Sequence, residues 1–218
     1  AGNGSMQTTS TAFVLRVAAL LATLFLAWQT SAFAILQNGL LESPRASLDH
    51  YMDGTADKPF AYRMLLPAVL RGIDGVTPSA VDASLDELAA GVMTRPNDLG
   101  PVLSGPEDKN HRAILWLAII DTACLFGYAL IGASLFTRFF PDSRIGLLAP
   151  VLLIVLVHVI VNQRFHHLYD FATLLMMASL MWAMVRERHL LFLGLFGAAC
   201  LNKETAILAT FGYAAIFF

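Results

Sequence analysis

Three consecutive polar residues, Asn202, Lys203 and Glu204, interrupt an otherwise apolar run that begins at Leu190. Packing alone does not account for them, because a charge inside a membrane costs about 2.5–3.5 kcal/mol on insertion scales. Asp121 and His158 interrupt two further apolar runs. Asp121 reads as an ionic partner for Lys203 or as a functional acid. His158 reads as a hydrogen-bonded packing residue or as a site group. His166, His167 and Asp170, with Tyr169 among them, combine imidazole and carboxylate, a donor set that suits zinc. Adjacent histidines on a loop are a weak metal signal, so no cofactor is expected, with a divalent metal as the lesser alternative. Upstream, Asp49, His50, Asp53 and Arg63 add charge to a long polar segment. Asp49 and Asp53 read equally as solvated loop charges or as site carboxylates.

Composition indicates what holds these groups. The 218 residues are 57% hydrophobic and 14% charged, and mean hydropathy is +0.64. Soluble domains are nearer about 45–50% apolar and about 25% charged. An all-α membrane helix bundle follows, with about five spans placed near 12–36, 113–136, 145–161, 168–185 and from 190 onward. Ala32-Phe33-Ala34 also resembles a signal-peptidase site, which would remove the first span. Residues 1–5 read as a cloning remnant before a native start at Met6, and 6–218 as one transmembrane domain. The net charge of -2 gives no support for a nucleic-acid partner. Cys124 and Cys200 each lie in an apolar run and read as buried thiols.

Short loops set the orientation. Arg138 and Arg144 flank one, and Arg186 and Arg188 the other, so both are expected in the cytoplasm with the N-terminus. The segments 37–112 and 162–170 then lie outside, which in a bacterium is the periplasmic side of the inner membrane. Residues 37–112 are too many for a bare connection. Tyr62, Leu65, Leu66, Val69 and Ile73 recur at helical spacing, with Arg63, Pro67 and Arg71 on a separate stripe. An interfacial helix kinked at Pro67 is expected there. A second is expected after Thr77, with Pro78 in its first turn, or a shorter one capped at Ser84. Residues 94–110 read as irregular.

At about 1.5 Å per residue, Asp121 lies about 12 Å below the outer end of its span. His158 and Lys203 lie about 20 Å above the inner ends of theirs. All three fall in the outer half of a core about 30 Å thick. Asp121 and Lys203 are therefore expected to pair, beneath Asn162, Gln163, Arg164, His166, His167, Tyr169 and Asp170. The pattern fits a cavity opening outward.

Three segments carry a resemblance: Pro59-Phe60-Ala61-Tyr62-Arg63-Met64-Leu65-Leu66-Pro67, His167-Leu168-Tyr169-Asp170-Phe171 and Leu201-Asn202-Lys203-Glu204-Thr205-Ala206. Together and in this order they resemble bacterial polytopic membrane proteins of the GT-C glycosyltransferase type, over most of the chain from Asp49 onward. The resemblance implies transfer of a sugar from a polyprenyl-phosphate donor to an acceptor on the non-cytoplasmic side. It implies Asp49, with Asp53 in reserve, as general base. It implies Arg63 and Lys203 as cations for the lipid phosphate. His167, Tyr169 and Asp170 would line the sugar pocket, with Tyr62, His166, Glu204 and Asp121 around the substrate. Proteins of this type usually carry more spans, so the chain is expected to be a piece of a longer one or a short member.

Two other classes fit the residues. A helix broken at Lys203 and Glu204 also serves transporters and channels at a substrate site, although no inverted repeat is visible. A non-catalytic scaffold assembling with membrane proteins is the third. Membrane lipids are the expected surroundings in every case, and the oligomeric state is left open.

Overall fold

The computed structural model describes residues 4–37, 65–77, 111–141, 144–163 and 170–218, together with Leu48, Met52 and Ser84. Among the described residues all regular structure is helical, as composition and periodicity predict. Helix α1 is Gly4–Gln37, α2 Leu65–Val76, α3 His111–Phe139, α4 Ala149–Gln163 and α5 Asp170–Val185. Helix α6, His189–Asn202, continues through a 3₁₀ turn, Glu204–Ile207, into α7, Leu208–Phe217.

Local chemistry places several boundaries. Asp170 opens α5, where a carboxylate complements the positive end of the helix dipole, and Arg138 sits in the last turn of α3 for the converse reason. Pro150 lies in the first turn of α4, where its missing N–H removes no intrahelical bond. Pro67 lies in the first turn of α2 as described, and Tyr62 to Met64, on which the expected kink depends, lie outside the described residues. The buried side of α2 also differs from the expected stripe. Leu66, Pro67 and Leu70 face inward while Val69 is 41% exposed. The described helix runs from Leu65 and docks by its 66–70 edge onto α3.

Helix α3 is the centre, packed against α1, α4 and α5 with α2 leaning on it. Its glycines admit close neighbours: a Cβ on Gly132 would come within 2.5 Å of Leu153 on α4, and one on Gly127 within 3.0 Å of Leu175 on α5. Apolar packing falls into three groups. Ile35, Leu66, Leu70, Ile114 and Leu117 join α1, α2 and α3. Ala27, Leu125, Ile154, Val161 and Phe171 join α1, α3, α4 and α5. Leu180, Ala183, Phe192, Ala199, Ala206 and Ala209 join α5 to α6, the 3₁₀ turn and α7. The last two helices rest mainly on α5.

The outer faces are apolar as well. Leu152, Val155, Leu156, Val159 and Ile160 are exposed along α4, as are Leu190, Leu193, Leu201, Leu208 and Phe211 on α6 and α7. Helices apolar on all sides are a mark of membrane-embedded bundles. Two helices are long and apolar enough to cross a membrane, over Phe13–Ile35 and Ala113–Phe139. Four others, α4 to α7, are apolar but only 10–17 residues long. The 3₁₀ turn Arg144–Leu147 takes up the start of the expected third span, and the fifth is divided at Lys203.

Candidate functional site

Two adjacent residues at the end of α6 meet two residues one turn apart on α5. Asp170 and Thr173, at i and i+3, share one face of that helix. Lys203 Nζ lies 2.9 Å from Asp170 Oδ1, and Asn202 Nδ2 donates to Thr173 Oγ1 at 2.9 Å. Lys203 itself is extended (φ -156°, ψ 131°), which ends α6 and turns its side chain out of the helical path. The break leaves backbone bonding intact: the Lys203 amide donates to Ala199 O and its carbonyl accepts from Ala206 N.

The ion pair is half-buried, with Lys203 24% and Asp170 28% exposed. It borders a cavity of about 390 Å³ whose remaining wall is mostly apolar, built from Leu156, Val157, Ile160 and Val161 of α4 and Phe171 and Leu174 of α5, with Thr173 of α5 and Tyr128 of α3 as its other polar residues. An ammonium at the edge of an apolar cavity suits an amphiphile with an anionic head.

Asp121 is 1% exposed, and its Oδ1 has no hydrogen-bond partner among the described residues. It lies within electrostatic reach of Asp170. The carboxylate paired with Lys203 is thus that of Asp170, where depth along the spans pointed to Asp121. Depth fixes the level of a side chain but not its direction around the helix axis. Asp170 also comes at a helix start, where the chain enters at the same level.

His158 is a packing residue in the structure. Its Nδ1 is 3.2 Å from Thr30 Oγ1, and its ring lies 5.3 Å from that of Phe33. Ser31 Oγ donates to Ala118 O across the α1–α3 contact. Cys124 is buried as expected, but Cys200 is exposed on α6. Of the sequence candidates, Asp121, Asp170 and Lys203 are placed. Glu204 is placed by its backbone in the 3₁₀ turn. Asp49, Asp53, Tyr62, Arg63, His166, His167 and Tyr169 lie outside the described residues, as do the helix expected after Thr77 and the irregular 94–110 stretch. Thr173 and Tyr128 were not singled out by sequence. The spacing of Thr173 from Asp170 was a usable signal, whereas Tyr128 becomes a wall only through the packing of α3 on α5.

Compared with family models, with curated proteins and with solved structures, the chain matches none of them.

Proposed function

We propose that the chain is a polytopic protein of the bacterial inner membrane, with five membrane-embedded segments and a cytoplasmic N-terminus, that handles a polyprenyl-phosphate sugar donor at its outer half. The function is glycosyl transfer of the GT-C kind. The observation that carries this reading is the Lys203–Asp170 pair on the rim of an apolar cavity. Lys203 supplies a cation for the lipid phosphate, and charge developing on the leaving group is stabilised by a fixed ammonium in a water-poor site. The cavity takes the first isoprene units. Asp170 holds Lys203 in place and yields to the incoming phosphate. The general base comes from the 37–112 segment, with Asp49 as first choice and Asp53 as second.

Photo-crosslinking with a polyprenyl-phosphate probe in proteoliposomes tests it. The wild type is labelled on α4 or α5, and Lys203→Ala loses most of the labelling together with turnover. Asp49→Asn keeps the labelling and lowers turnover by about 10²–10⁴, the usual cost of losing a general base. Equal labelling of wild type and Lys203→Ala sinks the assignment.

One observation favours a transporter as the second reading. Helix α6 is discontinuous, with polar Asn202 and Lys203 at the break, the arrangement in which transporters bind substrate. Uptake of a soluble anion into liposomes without lipid labelling would select it.

A further inference from the structure

At the opposite end of α5 from Asp170, the turn into α6 holds a second concavity, of about 570 Å³, with charged residues on its wall. It is lined by Trp182, Glu187, Arg188 and His189, with Leu190 and Leu191 at its side. Glu187 has φ 53°, the one left-handed non-glycine residue among those described. The Glu187 amide donates to Met184 O and the Arg188 amide to Ala183 O, the paired bonds of a helix-ending motif that ordinarily has glycine at this position. A strained glutamate whose side chain lines a concavity points from geometry towards use.

The neighbouring groups are held in place. The Arg186 guanidinium lies 5.7 Å from the Trp182 ring centroid, and the Tyr213 hydroxyl shares a 2.6 Å hydrogen bond with His189 Nδ1. The second nitrogen of His189 is on the other edge of the ring. Helix α6 starts at His189 without a side-chain cap, so its first amides add positive partial charge at the same end. Leu190 is 86% exposed, an apolar side chain beside a charged concavity.

We propose that this concavity binds a phospholipid headgroup carrying both a phosphate and a primary ammonium, as in phosphatidylethanolamine. Arg188 and His189 donate to the phosphate, Glu187 accepts from the ammonium, and Leu190 and Leu191 meet the acyl chains. A purely anionic headgroup leaves Glu187 facing negative charge. A quaternary ammonium has no N–H to donate to that carboxylate. The inference rests on the membrane reading above but not on sugar transfer.

The test uses the full chain in phosphatidylcholine nanodiscs containing equal small fractions of phosphatidylethanolamine and phosphatidylglycerol, with retained lipid counted by native mass spectrometry. The wild type retains phosphatidylethanolamine at least fivefold over either competitor. Glu187→Gln brings phosphatidylethanolamine down to the level of phosphatidylglycerol, and Arg188→Gln with His189→Gln loses both. No preference in the wild type, or an unchanged preference in Glu187→Gln, overturns the proposal. Binding of free phosphoethanolamine without lipid preference assigns the concavity to a soluble ligand and overturns it too. Recovery of the chain in the soluble fraction after a carbonate wash is a different result, and it defeats the membrane reading itself.

Discussion

Lys203 and Asp170 face each other at 2.9 Å in a half-buried setting. Exposed pairs contribute about 0.2–1 kcal/mol, whereas removing one partner of a buried pair costs about 3–5 kcal/mol. At this burial a double-mutant cycle with Asp170→Asn and Lys203→Met is expected to give about 1–2 kcal/mol of coupling. The Lys203→Met single variant should be less stable than the wild type, since it removes the cation 2.9 Å from Asp170. Asp121 behaves differently. Its Oδ1 is buried without a hydrogen-bond partner among the described residues, so an amide of the same shape loses little there. Asp121→Asn should leave the melting temperature unchanged or raised. A drop of several degrees would mean that the carboxylate has a partner. The polar triplet at 202–204 and Asp121 were legible as exceptions to apolar runs. Which carboxylate met Lys203 was not, since the choice depends on how α5 and α6 are rotated about their axes.

The α5–α6 turn carries its own test at the level of the helix. A left-handed conformation costs a residue with a Cβ about 1–2 kcal/mol, and glycine escapes this at some entropic cost. Glu187→Gly should therefore stabilise the protein by up to about 1 kcal/mol in thermal unfolding, and a loss of stability would show that the glutamate side chain is a net structural support. At the other end of the same helix, Thr173→Val removes the acceptor for Asn202 and should cost about 1–3 kcal/mol, because it leaves a buried amide short of a bond. Helix positions were readable from apolar runs, but the spans expected from 145 and 168 begin a few residues before α4 and α5 as described, whose starts lie at Ala149 and Asp170. The inward face of α2 was not, because Leu65, Leu66, Val69 and Leu70 form an apolar band wide enough to dock by either edge. Contact with α3 made the choice.

The molecule as a whole offers a topological prediction. The alternating run of α3, α4, α5 and α6 places Pro141 and the Arg186–His189 turn at one end and Asp170 at the other. On the proposed orientation, which follows from the excess of arginine in the short loops, the first end is the cytoplasmic one. With Cys200 replaced by serine and Cys124 buried and silent, a cysteine at Ser104 should be labelled in intact cells and one at Pro141 only after permeabilisation. The reverse pattern would turn the bundle over and move the Lys203 cavity to the inner half. Composition was enough to read an all-helical bundle. It did not reveal that the last span is two short helices, because hydropathy averages across the break at Lys203 that divides them.

Helices α6 and α7 rest mainly on α5, while α1, α3 and α4 hold one another. In a cooperative protein such a division is also a division of opening events. The amides of α6 and α7 should exchange with deuterium together, through a subglobal opening of lower free energy than the one that exposes α3. Lys203 belongs to the piece that opens, whereas Leu156, Val157 and Tyr128 stay with the piece that remains. A ligand bridging the two therefore slows exchange along the whole α6–α7 segment, far beyond the residues it touches, and leaves the α1–α3 contact at its own rate.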